Sequence, residues 1–382
     1  MKRILQLAIL AGAVAACGDQ STPLEPDLDL EQHSTRKFHE DGGAVYTMTN
    51  AASGNEILIF DRNRDGSLEA AGAAATGGLG TGSGLGNQGG LVLGHGNRTL
   101  YAVNAGSNDI SVFHVGRSGL RLLQTVESGG ERPISIATHR NLLYVLHGAG
   151  SGSVTGFRVK WFGRLRPIPG STRPLSGAAT TDPAQVSFSP DGRSLVVTEK
   201  ATNLLVTYRV GRRGLLSDPE AHPSAGETPF GFAFGRGSLL IVSEAFGGAV
   251  DASTLSSYAV GRHGSVRVLD PTVATTETAA CWVVVTSNGR YVYTTNTGSA
   301  SISGFAIGHR GDLELLDADG VTGSTGTGPI DLALSNRSKY LYALNAGDGS
   351  LSSFRVRHDG SLERLGEDVG SFPAGTNGLA AH

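Results

Sequence analysis

The sequence predicts an all-β chain folded as a seven-bladed β-propeller with four antiparallel strands per blade. Three observations predict it. First, a phrase of three short strands recurs along the chain. Its clearest copies are RTLYAVNAGSNDISVFHVGRSGL at 98–120, GRYVYTTNTGSASISGFAIGHRGDL at 289–313 and RSKYLYALNAGDGSLSSFRVRHDGSL at 337–362. Weaker copies begin at Ala44, Leu142, Ser194 and Ser238. Second, the aromatic near the end of the middle strand marks the period. It is Phe60, Phe113, Phe157, Tyr208, Tyr258, Phe305 and Phe354, at steps of 44 to 53 residues. A period near fifty with several strands per unit indicates a propeller, because one such sheet cannot bury both faces alone. Third, a run of small and apolar residues precedes the phrase in later units, as in Pro133–Ala137, Ala184–Phe188, Phe230–Phe234, Cys281–Val285 and Ile330–Leu334. Such a run suits an innermost strand crowded at an axis.

Taken in order, the chain opens with Met1, Lys2 and Arg3, then an apolar run from Ile4 to Ala15 that is too short to span a bilayer. Val14, Ala15 and Ala16 before Cys17 resemble the lipobox of bacterial lipoproteins. The resemblance implies a signal peptide over 1–16, a lipidated Cys17, and an exported protein anchored to the cell envelope, in the periplasm or on the outer surface. An ordinary secretory leader with an incidental Cys17 is the alternative. Residues 17–41, with Pro23, Pro26 and many polar and acidic positions, read as a flexible tether. The propeller then occupies 42–382, with no second domain.

The first copy of the phrase, at Ala44, lacks a preceding inner strand. The chain ends in Asn377-Gly378-Leu379-Ala380-Ala381-His382, which is one. The C-terminal strand is therefore expected to pair with the N-terminal blade and close the ring, leaving no open sheet edge. Two glycine-rich stretches, 72–90 and 320–328, read as flexible loops. Gly80-Thr81-Gly82-Ser83-Gly84 lacks the lysine and helix of a phosphate-binding loop. Asp61-Arg62-Asn63-Arg64-Asp65-Gly66 matches the first half of a calcium loop, but Gly72 stands where the bidentate glutamate belongs, so a polar hairpin is expected.

Only two cysteines occur, so with Cys17 lipidated, Cys281 has no partner and burial must supply the stability. The formal charge is −3, with scattered arginines and no footprint for nucleic acid. Through the lipid alone, a membrane is an expected partner; a monomer is expected.

The phrase G-x-x-L-Y-V-x-N-x-G-S-x-x-I-S-x-F, with SPDGR at 189–193, resembles the seven-bladed lactonase family of 6-phosphogluconolactonase-like and carboxymuconate-cyclase-like propellers. The resemblance covers roughly 42–382, and it implies a small lactone or sugar-like ligand as the partner. Thr198–Asn203, Ser243–Ala245 and Cys281-Trp282 look like motifs of a bacterial branch of that family. Where many members carry Pro-Arg-His at the start of inner strands, this chain has Ser135, Gln185, Gly231, Trp282, Asp331 and Gly378 at the third position.

In a propeller, inner strands begin and second strands end at one face, so a site is expected there. Second-strand ends contribute Asn104, His147, Glu199, Glu244, Asn296 and Asn345; inner-strand starts contribute Gln185, Cys281, Trp282, Asp331 and Asn377. Asparagine at a strand end is ordinary turn chemistry. His147, Glu199 and Glu244 replace it with titratable groups and are the catalytic candidates. Lys200, Asn104, Gln185, Trp282, Asn296, Asn345 and Asp331 are the substrate-binding candidates, although Cys281 and Trp282 also read as packing.

Three functions fit. The first is a lactonase, in which Glu199 and Glu244 face the channel as neighbours, one an acid and one a base, with Lys200 tuning them. The second is a non-catalytic tethered propeller binding a sugar, peptide or envelope partner. The third is a metal-dependent hydrolase using His147, Glu199 and Glu244, which lack recognisable ligand spacing. No metal or cofactor is expected.

Overall fold

The computed structural model describes residues 42–382. The leader, Cys17 and the tether expected over 17–41 lie outside the described residues. The described chain forms seven sheets, each hydrogen-bonded in the order inner, second, third, outer strand. In blade 4 these are Pro183–Phe188, Ser194–Glu199, Leu204–Arg209 and Glu220–Pro223. Blades 3 and 6 split the outer strand in two, so that Gly323–Ser324, within the shorter glycine-rich stretch, is a ladder segment.

The ring closes as the repeat arithmetic requires. Asn377–Ala381 pairs antiparallel with Gly43–Met48, with Val45 opposite Ala381 and Tyr46 opposite Ala380. Arg62 Nε adds a bond of 3.1 Å to the His382 carbonyl. Second strands such as Thr99–Asn104, Leu142–His147 and Tyr291–Asn296 are buried along their whole length. A radial sheet packs a neighbouring blade on each face, so its second strand meets no water, and Leu, Val and Tyr fill both faces.

One polar clasp recurs between blades 2 and 7 and again across the chain ends. Tyr101 Oη donates to the Gly163 carbonyl at 3.0 Å, Tyr144 to Gly214 at 2.6 Å, Tyr293 to Gly360 at 2.7 Å and Tyr342 to Gly66 at 2.9 Å. Thr207 and Ser257 reach Gly264 and Gly311 in the same way. Each acceptor sits in the third-to-outer turn of the next blade. Those turns need a left-handed residue, as at Gly163 (φ 81°) and Gly360 (φ 89°), where a side chain would be strained and would strike the neighbouring blade. The Asp61–Gly66 run is one such turn: Ser67 donates through its amide and hydroxyl to Asp65, as a polar hairpin does.

The long glycine-rich stretch is not the flexible loop its composition suggests. Residues up to Ala75 belong to the outer strand Leu68–Ala75. Beyond it the chain is bonded along its path. Leu79 N donates to Ser107 Oγ at 2.8 Å, and Gly80 N and Gly82 N donate to the Ala51 and Asn50 carbonyls at 2.8 Å. A Cβ at Gly80 would lie 2.0 Å from the Asn50 backbone, so glycine here permits close approach rather than motion. The segment then passes over the inner strands and enters the axis.

Candidate functional site

Residues 86–90 plug one mouth of the channel. The Gln88 side chain behaves like a strand edge: Nε2 donates to the Val283 carbonyl at 2.8 Å and Oε1 accepts from Val283 N at 3.0 Å. Its own backbone donates to Ala184 O at 3.1 Å and accepts from Ser135 Oγ at 2.6 Å. Asn87 Nδ2 bonds the Ile134 carbonyl, and Trp282 Nε1 donates to the Asn87 carbonyl at 2.8 Å. One short segment thereby ties together inner strands from blades 3, 4 and 6. Neither Asn87 nor Gln88 was among the sequence-derived candidates. The signal available was two amide side chains inside an otherwise small-residue run.

The sequence-derived candidates fall into two groups. Lys200, Gln185, Trp282 and Asp331 surround the plugged mouth. Lys200 Nζ donates to the Gly86 carbonyl at 2.8 Å, lies 3.3 Å from Asp182 Oδ1 and stands 4.9 Å from the Phe230 ring centroid. Desolvation lowers its proton affinity, and the Asp182 carboxylate works against that. Trp282 packs on Phe230 at 4.8 Å between centroids. Gln185 Oε1 accepts from Phe232 N at 2.6 Å, joining the inner strands of blades 4 and 5. Asp331 is buried, accepts from Leu332 N at 2.8 Å, and burial holds its carboxyl well above the usual range. Burial also pushes the Cys281 thiol up to about 12, which makes it inert packing. The amide oxygens of Asn87 and Asn377, on either side of Gly90, are buried with no hydrogen-bond partner among the described residues.

The second group does not reach the mouth. Asn104, His147, Glu199, Glu244, Asn296 and Asn345 are buried between blades, where each closes a hairpin. Asn296 Nδ2 donates to Ser301 and Ser303 at 2.9 and 2.8 Å, and Asn345 to Ser350 and Ser352 at 2.9 Å each. Asn104 does the same with Asp109 and Ser111. His147 bridges Ser128 and Ser153 at 3.1 and 3.3 Å, and burial lowers its imidazole pKa to about 4. Glu199 accepts from Ser176 N and Oγ at 2.8 and 2.7 Å and from Thr202 at 2.6 Å. Glu244 accepts from Thr254 and Ser256 on the third strand and from Tyr258 and Gly226 N. Desolvation raises its pKa, and these donors partly offset the rise.

The expected facing pair of glutamates is therefore corrected: Glu199 and Glu244 share no partner. Second-strand side chains point at adjacent blades, because the sheets stand radially and only inner-strand edges face the axis.

The described chain is thus a seven-bladed β-propeller of the all-β class whose own loop closes one mouth of the channel. The chain belongs to the family described as lactonase, 7-bladed beta-propeller, whose sequence model matches residues 33–171, 154–260 and 248–375. Among solved structures it is similar to a proposed 6-phosphogluconolactonase of Bacteroides uniformis, at 19% identity over 90% of this chain and 100% of that one, with a TM-score of 0.72. A proposed 6-phosphogluconolactonase of Bacteroides fragilis matches at 20% identity over 90% and 98%, with a TM-score of 0.70. The periplasmic gluconolactonase of Pseudomonas aeruginosa matches at 17% identity over 89% and 99%, with a TM-score of 0.68. At these identities the likeness shows the fold. No curated protein matches in sequence.

Proposed function

We propose that this chain opens a small, sugar-derived lactone at the plugged mouth. Lys200 would hold the carbonyl oxygen as it gains charge; Asp182 would take the proton from the attacking water and return it to the ring oxygen as the acyl C–O bond of the ring breaks, leaving the hydroxy acid. One observation carries this reading: a largely desolvated ammonium stands 3.3 Å from an exposed carboxylate at the rim of the axis. Ester hydrolysis needs an electrophile where negative charge develops and a base within reach of water, and a drier ammonium stabilises that charge more strongly. Membership of the lactonase family and the gluconolactonase-like relatives support the substrate class. Trp282 and Phe230 would supply an apolar wall. Glu199, Glu244 and His147 act in this reading as positioning residues that hold the hairpins bearing Lys200 and its neighbours. We also propose that the protein is a monomeric exported lipoprotein, held to a membrane through Cys17.

The test is hydrolysis of a panel of sugar lactones followed by base uptake. Lys200→Met and Asp182→Asn should each lower kcat/KM by about a hundredfold, the usual scale for losing a general base or an oxyanion donor. If Glu199→Gln or Glu244→Gln abolishes turnover in folded protein while Lys200→Met does not, the buried carboxylates are the catalytic groups. A panel left untouched by the wild type would favour the tethered binding propeller.

A further inference from the structure

The two faces of the ring carry opposite charge. The face opposite the plug is built from the turns joining inner to second and third to outer strands. Every inner turn from blade 2 to blade 7 holds one exposed arginine: Arg98, Arg140, Arg193, Arg236, Arg290 and Arg337. The outer turns of all seven blades add at least one more exposed arginine or lysine each, while the acids of this face's turns are Asp65, Asp312 and Asp359 in outer turns and Asp191 in the inner turn of blade 4. The plug face bears Asp109, Glu131, Asp182, Glu227, Asp251 and Asp348 on its own turns and links, against the two cations Arg132 and Lys200, the latter paired with Asp182. The small net charge of −3 hides this separation.

The arginine face also carries the most exposed aromatic pair among the described residues. Trp161 is 88% and Phe162 75% exposed, and the exposed Lys160 and Arg164 flank them. Phe162 holds a left-handed backbone (φ 59°) that turns the pair outward from the end of blade 3. Beside the pair, a cleft of about 820 Å³ between blades 2 and 3 is lined by Arg98, Arg140, His114, His139, Tyr101 and Phe162.

We propose that this arginine face docks on an anionic lipid bilayer, with Trp161 and Phe162 inserted at the headgroup level. Charge alone would suit any polyanion. The adjacent tryptophan and phenylalanine select a lipid, because an indole and a phenyl ring in water gain by burial at an interface while cations around them meet anionic headgroups. The described chain enters the ring on this side, since Gly43 opens the second strand of blade 1 opposite Arg62.

The test uses the chain from Gly18 onward, which keeps the whole closed ring and omits the apolar leader and Cys17. Binding to phosphatidylcholine vesicles is measured with and without added phosphatidylglycerol. The anionic vesicles should bind at least about tenfold more tightly, and high salt should weaken that binding. Tryptophan emission should shift to the blue, reporting Trp161 because Trp282 is already buried. Trp161→Ser with Phe162→Asn, asparagine tolerating the left-handed backbone, should lose the shift and about tenfold in affinity without altering the melt. Arg98→Gln with Arg140→Gln should weaken binding to anionic vesicles only. Equal binding to neutral vesicles, or unchanged binding by the aromatic variant, overturns the proposal. So does binding confined to a soluble anionic polysaccharide, which would assign the face to a polyanion.

Discussion

His147 shows how a repeat position absorbs a titratable residue. It occupies the place held by Asn104, Asn296 and Asn345 in other blades and, like Asn296 and Asn345, bonds the serine that opens the third strand of its hairpin, adding a bond to Ser128 on the incoming link. The difference lies in its charge. Burial lowers its pKa from 6.5 to about 4, so between those values the unfolded chain binds more protons than the folded one. Its contribution is complete above pH 6.5 and is lost as pH falls toward 4, by roughly 3 kcal/mol at most at 1.36 kcal/mol per pKa unit. Asp331 and Glu244 have the opposite sign: their raised pKa values favour the fold at low pH and lose that contribution as pH rises past the unfolded value. The comparison must therefore be made between proteins at each pH. His147→Asn should match the wild type or fall slightly below it in urea midpoint at pH 7 and gain on it steadily toward pH 4.5. A constant difference across that range would show that the imidazole protonates as readily in the fold as in the unfolded chain, and would remove the burial effect.

At the scale of elements, the C-terminal strand and the plug perform related tasks. Asn377–Ala381 gives blade 1 its inner strand and covers the edge of Gly43–Met48. Its loss would expose an unpaired edge and open the ring between blades 1 and 7. Deleting residues 376–382 should abolish a single cooperative melt and bring on aggregation, read by calorimetry and light scattering. A truncated chain that melts as one transition at the wild-type temperature would mean that the ring holds without its seam. The plug satisfies a different need. Inner strands present backbone groups to the axis, and Gln88 and Asn87 supply partners at Val283, Ala184 and Ile134 where the ring is too wide for strands to pair directly.

For the whole molecule, the acidic plug face and the arginine face give the ring a direction, and the proposed chemistry and proposed membrane contact lie on opposite sides of it. Labelled palmitate should enter the wild type in a bacterial host and be absent from Cys17→Ala. Label retained by the variant would remove the lipoprotein reading and leave membrane contact to the arginine face alone.

Sequence by itself determined the blades. Period, strand type and turn glycine are local properties, written in β-branched and aromatic runs and in residues such as Gly163 and Gly360 that tolerate a left-handed backbone. Closure was also legible, because one unit lacked an inner strand and the C-terminus had one to spare. Even the hairpin brackets had a readable form, an asparagine followed by serines five and seven residues later, as in Asn296, Ser301 and Ser303. Only the tertiary structure decided where those side chains point. Radial sheets turn second-strand residues toward neighbouring blades, so Glu199 and Glu244, equivalent in consecutive blades, are each enclosed by separate hydroxyls and amides. It alone decided the fate of the glycine-rich stretch as well. Composition reports how freely a segment could move, whereas its order comes from distant backbone groups that need hydrogen-bond partners at the axis.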